Sequence, residues 1–361
     1  MKKIIILFSI VLSLALLYGC SKKTDIVADT IKPSNATASI TSTVPIPKEL
    51  KIQDYFPIKE NMSYIYEGKG NEYAAYSVFN DYISEGKVQQ RIDNGGTEIA
   101  RVVEVKDGKL TILFFRGEIY FRENYLEAES NENEILLKEP LVKGASWTLK
   151  DSRVRTITNA SADITTPSGS YKAIEVTTQG TSSKTIDYYA KNVGLVKTVS
   201  TIGEAEVSSS LSKIEENVPF VKKINFFYPN INDGKIYYES RDISFKTNDI
   251  TKQILEKACK EAVSNNIGKV FTSNTKINSL YLNKDNMVYI DLNSAFLSEM
   301  NVGALAEKMI LQCIANTFGQ YYNVEKVVLT INNKPYESGH ISMKKGEYLK
   351  VNLENSVEIK K

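Results

Sequence analysis

Few side chains in this sequence are equipped for covalent or acid–base chemistry. Of 361 residues, one is histidine and three are cysteine. His340 stands in Ser338-Gly339-His340 near the C-terminal end, and no G-x-S-x-G elbow accompanies it, so it reads as a turn histidine and not as the base of a nucleophilic triad. One histidine excludes a multi-histidine metal cage. With no P-loop, dinucleotide fingerprint or clustered ligands, neither metal nor cofactor is expected. Cys259 and Cys313 fall on the apolar faces of two helical stretches and read as buried core thiols. A wall-cleaving glycosidase needs two facing carboxylates about 5–10 Å apart, and by position Asp291 and Glu299 make the best pair, flanking a loop after a strand. The preferred reading gives Asp291 a structural task, capping the turn Ser294–Met300. The carboxylates crowding Glu118–Glu139 lack the ligand spacing around a glycine turn that calcium needs, and read as a solvated acidic loop. No catalytic residue is therefore expected.

The third cysteine has a different context. Lys2 and Lys3 precede an apolar run, Ile4 to Leu17, of about fourteen residues, short of the ~20 that span a bilayer and suited to a signal peptide. It ends in Leu17-Tyr18-Gly19-Cys20, which resembles the lipobox of bacterial lipoproteins, with Tyr18 where a small residue is usual. The resemblance implies cleavage after Gly19 and a thioether from Cys20 to diacylglycerol, anchoring the chain to the membrane on its extracytoplasmic face. Residues 20–50, rich in Ser, Thr, Ala and Pro and without an aromatic side chain, cannot bury enough apolar surface to offset their ordering entropy, and read as a flexible stalk.

Residues 51–217 carry short alternating runs separated by turn signals such as Asp107-Gly108, Asn94-Gly95-Gly96 and Val193-Gly194, without sustained helical periodicity. They predict an antiparallel all-β domain, a sandwich or half-barrel. Two segments echo each other. Tyr55-Phe56-Pro57-Ile58 leads to Asn61-Met62-Ser63-Tyr64, and Glu139-Pro140-Leu141-Val142 leads to Gly144-Ala145-Ser146-Trp147. They are either two equivalent strand starts or chance. The aromatics of this region, from Tyr64 to Trp147, fill a β core on the preferred reading; a sugar- or peptide-binding groove is the alternative.

From residue 218 the pattern changes to β-β-α-β-β-α-β, which predicts an α+β domain over 218–353 with two helices on one face of a sheet, followed by a tail, 354–361. Asn248 is placed to cap the first helix, whose stripe runs Ile250, Ile254, Leu255, Ala258, Cys259, Ala262, Val263. The second presents Leu305, Ala306, Met309, Ile310, Cys313, Ile314, Thr317 and Phe318. Four places carry a family likeness: Ile224-Asn225-Phe226-Phe227-Tyr228-Pro229-Asn230; the pair Ile277–Leu282 and Val288–Phe296; Ala304–Ile310; and Val324–Pro335. Together they resemble the GerMN domain of sporulation and spore-germination lipoproteins. Where the family commonly has glycine before a late Lys-Pro, this chain has Asn333, which tolerates φ > 0. Thr272-Ser273-Asn274-Thr275 replaces the usual proline-bearing turn.

The resemblance implies a non-catalytic module similar to ring-building domains of sporulation envelope machines, a lipid-anchored partner in an assembly or in germination. The expected function is binding or scaffolding in the cell envelope, with other envelope proteins or cell wall as partners. The alternative is an anchored cell-wall hydrolase. A solute-binding lipoprotein would need two similar α/β lobes. With 45 basic against 43 acidic residues, nucleic acid is not an expected partner. Residues 21–217 hold 24 basic and 28 acidic residues and 218–361 hold 19 and 15, so the two parts carry opposite net charge.

Overall fold

The computed structural model describes residues 49–261 and 267–359. The signal-peptide, lipidation and stalk expectations up to residue 48, Cys20 among them, lie outside these residues, as do Ala262 and Val263.

Twelve strands form one antiparallel sheet: β1 (Met62–Lys69), β2 (Tyr76–Ser84), β3 (Lys87–Asp93), β4 (Glu98–Lys106), β5 (Lys109–Arg116), β6 (Glu134–Lys138), β7 (Ser146–Thr148), β8 (Val154–Thr166), β9 (Gly169–Gln179), β10 (Ser183–Ala190), β11 (Gly194–Ile202) and β12 (Ala205–Glu216). The spatial order is 6-5-4-3-2-1-12-11-10-9-8-7, two six-stranded meanders joined where β1 pairs with β12. The sequence echo falls immediately before β1 and immediately before β7, so it marks the start of each meander. The outer strands β6 and β7 meet through side chains. Trp147 Nε1 (3.0 Å) and Arg155 Nη1 (2.6 Å) both donate to the Ile135 carbonyl, and Arg155 Nη2 pairs with Glu134 at 2.5 Å. A tryptophan and an arginine thus satisfy an edge that would otherwise invite pairing with another chain.

The short helix α1 (Ile52–Tyr55) buries Ile52 and Tyr55 in the cluster formed by Val103, Leu110, Leu137, Trp147 and Ile157. Of the aromatics, Tyr64, Tyr66, Phe79, Tyr82, Phe121, Tyr125 and Trp147 are buried, as a β core requires; Tyr73 and Phe115 are exposed. Asp187 on β10 is buried too. Burial raises its carboxyl above the usual carboxylate range, opposed by the Thr198 hydroxyl (2.7 Å) and by Arg155.

The remaining elements are β13 (Phe220–Asn230), β14 (Lys235–Phe245), α2 (Thr251–Lys260), β15 (Ile277–Leu282), β16 (Val288–Leu292), α3 (Ala295–Ser298), α4 (Ala304–Tyr322), β17 (Lys326–Ile331), β18 (Lys334–Pro335), β19 (Leu349–Lys350) and β20 (Val357–Glu358). The predicted element order is present, but not the predicted single sheet. β13, β14 and β20 form one sheet; β15 to β18, with β19 on β17, form another. The segment read as a tail is thus tied to β14 through β20. Helix α4 bonds to both sheets. Thr317 Oγ1 accepts from the Phe227 N–H (3.1 Å), while Gln312 and Asn316 donate to the carbonyls of Lys350 and Asn352. The apolar stripe on α4 is accordingly wider than expected. Leu311, Ala315, Tyr321 and Tyr322 are buried beyond it, whereas Leu305 is exposed. Gly319 is needed here, since a Cβ would lie 2.2 Å from Val351 Cγ2.

Asn248 does not cap α2. Its backbone is left-handed (φ 67°), and its Oδ1 accepts from the Ile83 N–H on β2. The segment 117–126 between β5 and β6 also departs from expectation. Glu127, Glu129 and Glu132 are solvated, but Ile119, Phe121, Arg122, Tyr125 and Leu126 are buried in the hydrophobic cluster that holds α4 and β13. This strap carries the most buried guanidinium of the fold. Arg122 donates to the carbonyls of Asp81 (2.7 Å), Lys246 (3.0 Å) and Asp249, to Tyr82 Oη (2.9 Å) while stacking over the Tyr82 ring, and lies 3.4 Å from Asp81 Oδ1. Arg91 holds the other Asp81 oxygen at 2.9 Å and Glu98 at 2.6 Å.

Replacing Arg122 by Met strands Asp81 beside a single arginine and removes one donor from each of three carbonyls, of which those of Asp81 and Lys246 keep a main-chain N–H from Asn248 and Asp249. We expect a loss of about 3–5 kcal/mol, or roughly 10 °C in melting midpoint by circular dichroism. Asp187 gives the opposite sign. Its folded-state pKa is raised, so the native chain holds that proton longer than the unfolded chain, and stability falls as pH rises through the window between them. Asp187→Asn is expected to raise the midpoint at about pH 7 and to lose that gain below about pH 4 in a pH series of melts.

Candidate functional site

The two members of the sequence-predicted acidic pair are held by different hydrogen-bond partners. Asp291, buried on β16, accepts from Thr330 Oγ1 (2.6 Å), the Asn333 N–H (2.6 Å) and Asn278 Nδ2 (2.8 Å). It therefore ties the β17–β18 turn to β16 rather than capping Ser294–Met300. The turn is built as expected on asparagines at positive φ, Asn332 at 48° and Asn333 at 63°. Glu299 is exposed, and its Oε1 accepts from Asn274 Nδ2 (2.7 Å); hydrogen bonds from Asn274 and Thr272 hold its carboxyl below the usual range. The two carboxylates thus serve different neighbours.

The other candidates are equally engaged. Burial pushes the Cys259 thiol up to about 12 and Cys313 higher still, so neither offers a thiolate near neutrality. His340 is exposed in its turn, its backbone N–H on Ser338 Oγ. A carboxylate not singled out in the sequence, Glu307 in the first turn of α4, is buried and accepts from the hydroxyls of Tyr336 (2.7 Å) and Ser338. Its polar partners lie some thirty residues downstream, beyond the reach of local pattern. Among the described residues no cluster of His, Cys, Asp or Glu could hold a metal ion.

Among the described residues an open groove of about 650 Å³ stands out. One wall is β13 from Lys222 to Asn225. The other is the C-terminal end of α4, from Gly319 to Asn323, with Val324, Glu325, Val351 and Leu353; Tyr120 of the strap closes one side. Asn323 ends α4 in the left-handed conformation (φ 55°), and the Val324 N–H bonds back to the Gly319 carbonyl, turning the chain sharply into β17. Lys222 is held by Glu98 at 3.2 Å, whereas Lys223 makes no ion pair among the described residues. The lining offers main-chain groups, amides and a lysine, a surface suited to binding. Sequence reasoning missed the groove because each wall reads as an ordinary strand or helix end.

Two substitutions follow with opposite outcomes. Asp291→Ala leaves three donors without their acceptor and is expected to cost about 3 kcal/mol in a denaturant melt. Glu299→Ala should stay within about 0.5 kcal/mol. Any activity assay on the pair is therefore read through Glu299→Ala first.

Residues 225–337 match the family model Germane, described as sporulation and spore germination. No curated protein matches the chain. Among solved structures, the tandem GerMN domains of the sporulation protein GerM from Bacillus subtilis align at 20% identity and a TM-score of 0.28, over 36% of this chain and 46% of that one, so the chain spans about half of that structure. The first GerMN domain of the same protein aligns at 21% identity and 0.27, over 34% of this chain and 94% of that one. An exported protein of YmcC-like fold from Bacteroides fragilis aligns at 13% identity and 0.29, over 45% and 99%. The sequence match spans β13 to β18, including the groove wall at Asn225 and the Asp291-pinned turn. Residues 225–337 of this chain are a Germane domain.

Proposed function

We propose that this chain is a lipid-anchored, extracytoplasmic lipoprotein that binds and scaffolds other components of the cell envelope without catalysis, in sporulation or spore germination. The observation that carries the reading is the Germane match, described as sporulation and spore germination, over a region in which Asp291 and Glu299 are engaged by hydrogen bonds and Cys259 and Cys313 are buried, while an open groove runs along its first strand. The Gly19-Cys20 pair after a short apolar run supports the anchor, with diacylglycerol on Cys20 as the link to the membrane. No helix among the described residues is long and apolar enough to cross a bilayer. Envelope proteins or cell wall are the partners this reading expects.

The test is genetic and biochemical together. In a spore-forming host lacking the gene, the wild-type chain and Glu299→Ala should both restore sporulation and germination. Cys20→Ala should move the protein from the membrane to the soluble fraction and fail to restore them. Release of wall fragments by the purified chain, abolished in Glu299→Ala, would replace the scaffold reading with the hydrolase.

A further inference from the structure

The edge of β13 continues past the point where the rest of the fold covers it. β13 pairs with β14 in an unbroken register from Phe220↔Phe245 to Asn230↔Lys235 and, among the described residues, has no strand on its other side. In an antiparallel ladder the main-chain groups of alternate residues face opposite ways. Two bonds fix which residues face outward: the Phe227 N–H reaches Thr317 Oγ1 on α4 (3.1 Å), and the Pro229 carbonyl accepts from the Gly268 N–H (2.7 Å). Asn225, Lys223 and Val221 share that parity, so their N–H and C=O groups also point away from β14. Among the described residues none of these main-chain groups bonds to another segment, although the Asn225 side chain donates to Gln320 Oε1 on α4 (3.2 Å). They open instead into the groove between β13 and the end of α4, with the half-exposed Val221 and Leu353 nearby.

We infer that this groove takes up an extended polypeptide segment of another protein, which adds a strand to β13 over Val221–Asn225. Main-chain spacing supplies the affinity, and the side chains of alternate residues supply the choice of partner. The chemistry of the edge selects among occupants. Lys223 is exposed, stands opposite Asp242 on β14 and makes no ion pair among the described residues, whereas Lys222, on the other face of the strand, is held by Glu98. A second copy pairing through the same strand would bring Lys223 up against the Lys223 of that copy, as edge lysines do in negative design. An acidic, β-branched segment meets an apolar floor at Ile224, Val324 and Val351 and the ammonium of Lys223, which makes no ion pair among the described residues. This inference rests on the binding reading above and specifies how the partner is held.

The probe is an end-blocked nine-residue peptide of alternating Val and Glu, labelled with a fluorophore and titrated into the full chain in detergent micelles. Hydrogen–deuterium exchange is followed over 220–227. Binding is expected to slow exchange at the amides of Val221, Lys223 and Asn225. Lys223→Pro removes an outward N–H that β14 does not use, and should weaken anisotropy-detected binding at least about tenfold. Lys223→Glu keeps the main chain, and should weaken the Val/Glu peptide while leaving a Val/Lys peptide improved. Three results would overturn the inference: no protection over 220–227 at saturating peptide, binding of the Val/Glu peptide by both variants as tightly as by the unsubstituted chain, or protection in concentrated protein without peptide, which assigns the edge to a second copy. Peptide binding and the genetic complementation fail independently, so the docking mode and the scaffold reading are separable.

Discussion

A guanidinium with no access to water depends on acceptors inside the protein, and Arg122 draws its hydrogen-bond and ion-pair partners from separate parts of the fold. Its donors reach the end of β2 at Asp81, the turn before α2 at Lys246 and Asp249, and the Tyr82 hydroxyl. These groups come from the twelve-stranded sheet, the strap and the Germane region, and converge only when all three are in place. A buried arginine with one acceptor missing is heavily destabilising, so the network selects a single arrangement. Around it the Asn61–Thr247 reciprocal hydrogen bonds (2.7 and 2.9 Å) and the Lys222–Glu98 pair repeat the same connection at other points. Tyr82, Ala100 and Val102 on the outer face of the sheet share one apolar cluster with α4 and β13.

The groove inherits its shape from this lock. The main-chain N–H of Arg122 donates to Tyr321 Oη at 2.9 Å, and Tyr321 forms part of the groove wall; Tyr120, two residues before Arg122, forms another. The strap therefore fixes the end of α4 relative to β13 while its arginine fixes the sheet. A binding edge held this rigidly keeps its main-chain groups in register for an incoming strand without an ordering step. The Germane region of this chain is in this sense completed by the β sheet that precedes it.

Much of this was legible in the sequence because it is local. Asp-Gly and Asn-Gly turns marked the meanders, apolar spacing marked α2 and α4, and the echo before β1 and β7 marked a repeated start. What was not legible is long-range. Arg122 in an acid-rich stretch looks like a solvated charge, and only the convergence of three carbonyls some 40 to 127 residues away buries it. Asn248 looks like a helix cap until β2 supplies an N–H that competes for its side chain. Asp291 looks like a cap or a catalyst until β17, almost forty residues on, brings Thr330 to it. The split of the Germane strands into two sheets was hidden for a related reason: the apolar faces of α4 alternate around the helix, and periodicity alone reports the widest one.

The central claim is that the β sheet and the Germane domain are one cooperative body, locked through Arg122. Scanning calorimetry tests it most directly. A single transition whose calorimetric and van't Hoff enthalpies agree, resolving into two in Arg122→Met, is the expected result. Two transitions in the wild-type chain would contradict it, because the sheet and the Germane domain would then fold as neighbours without the shared lock.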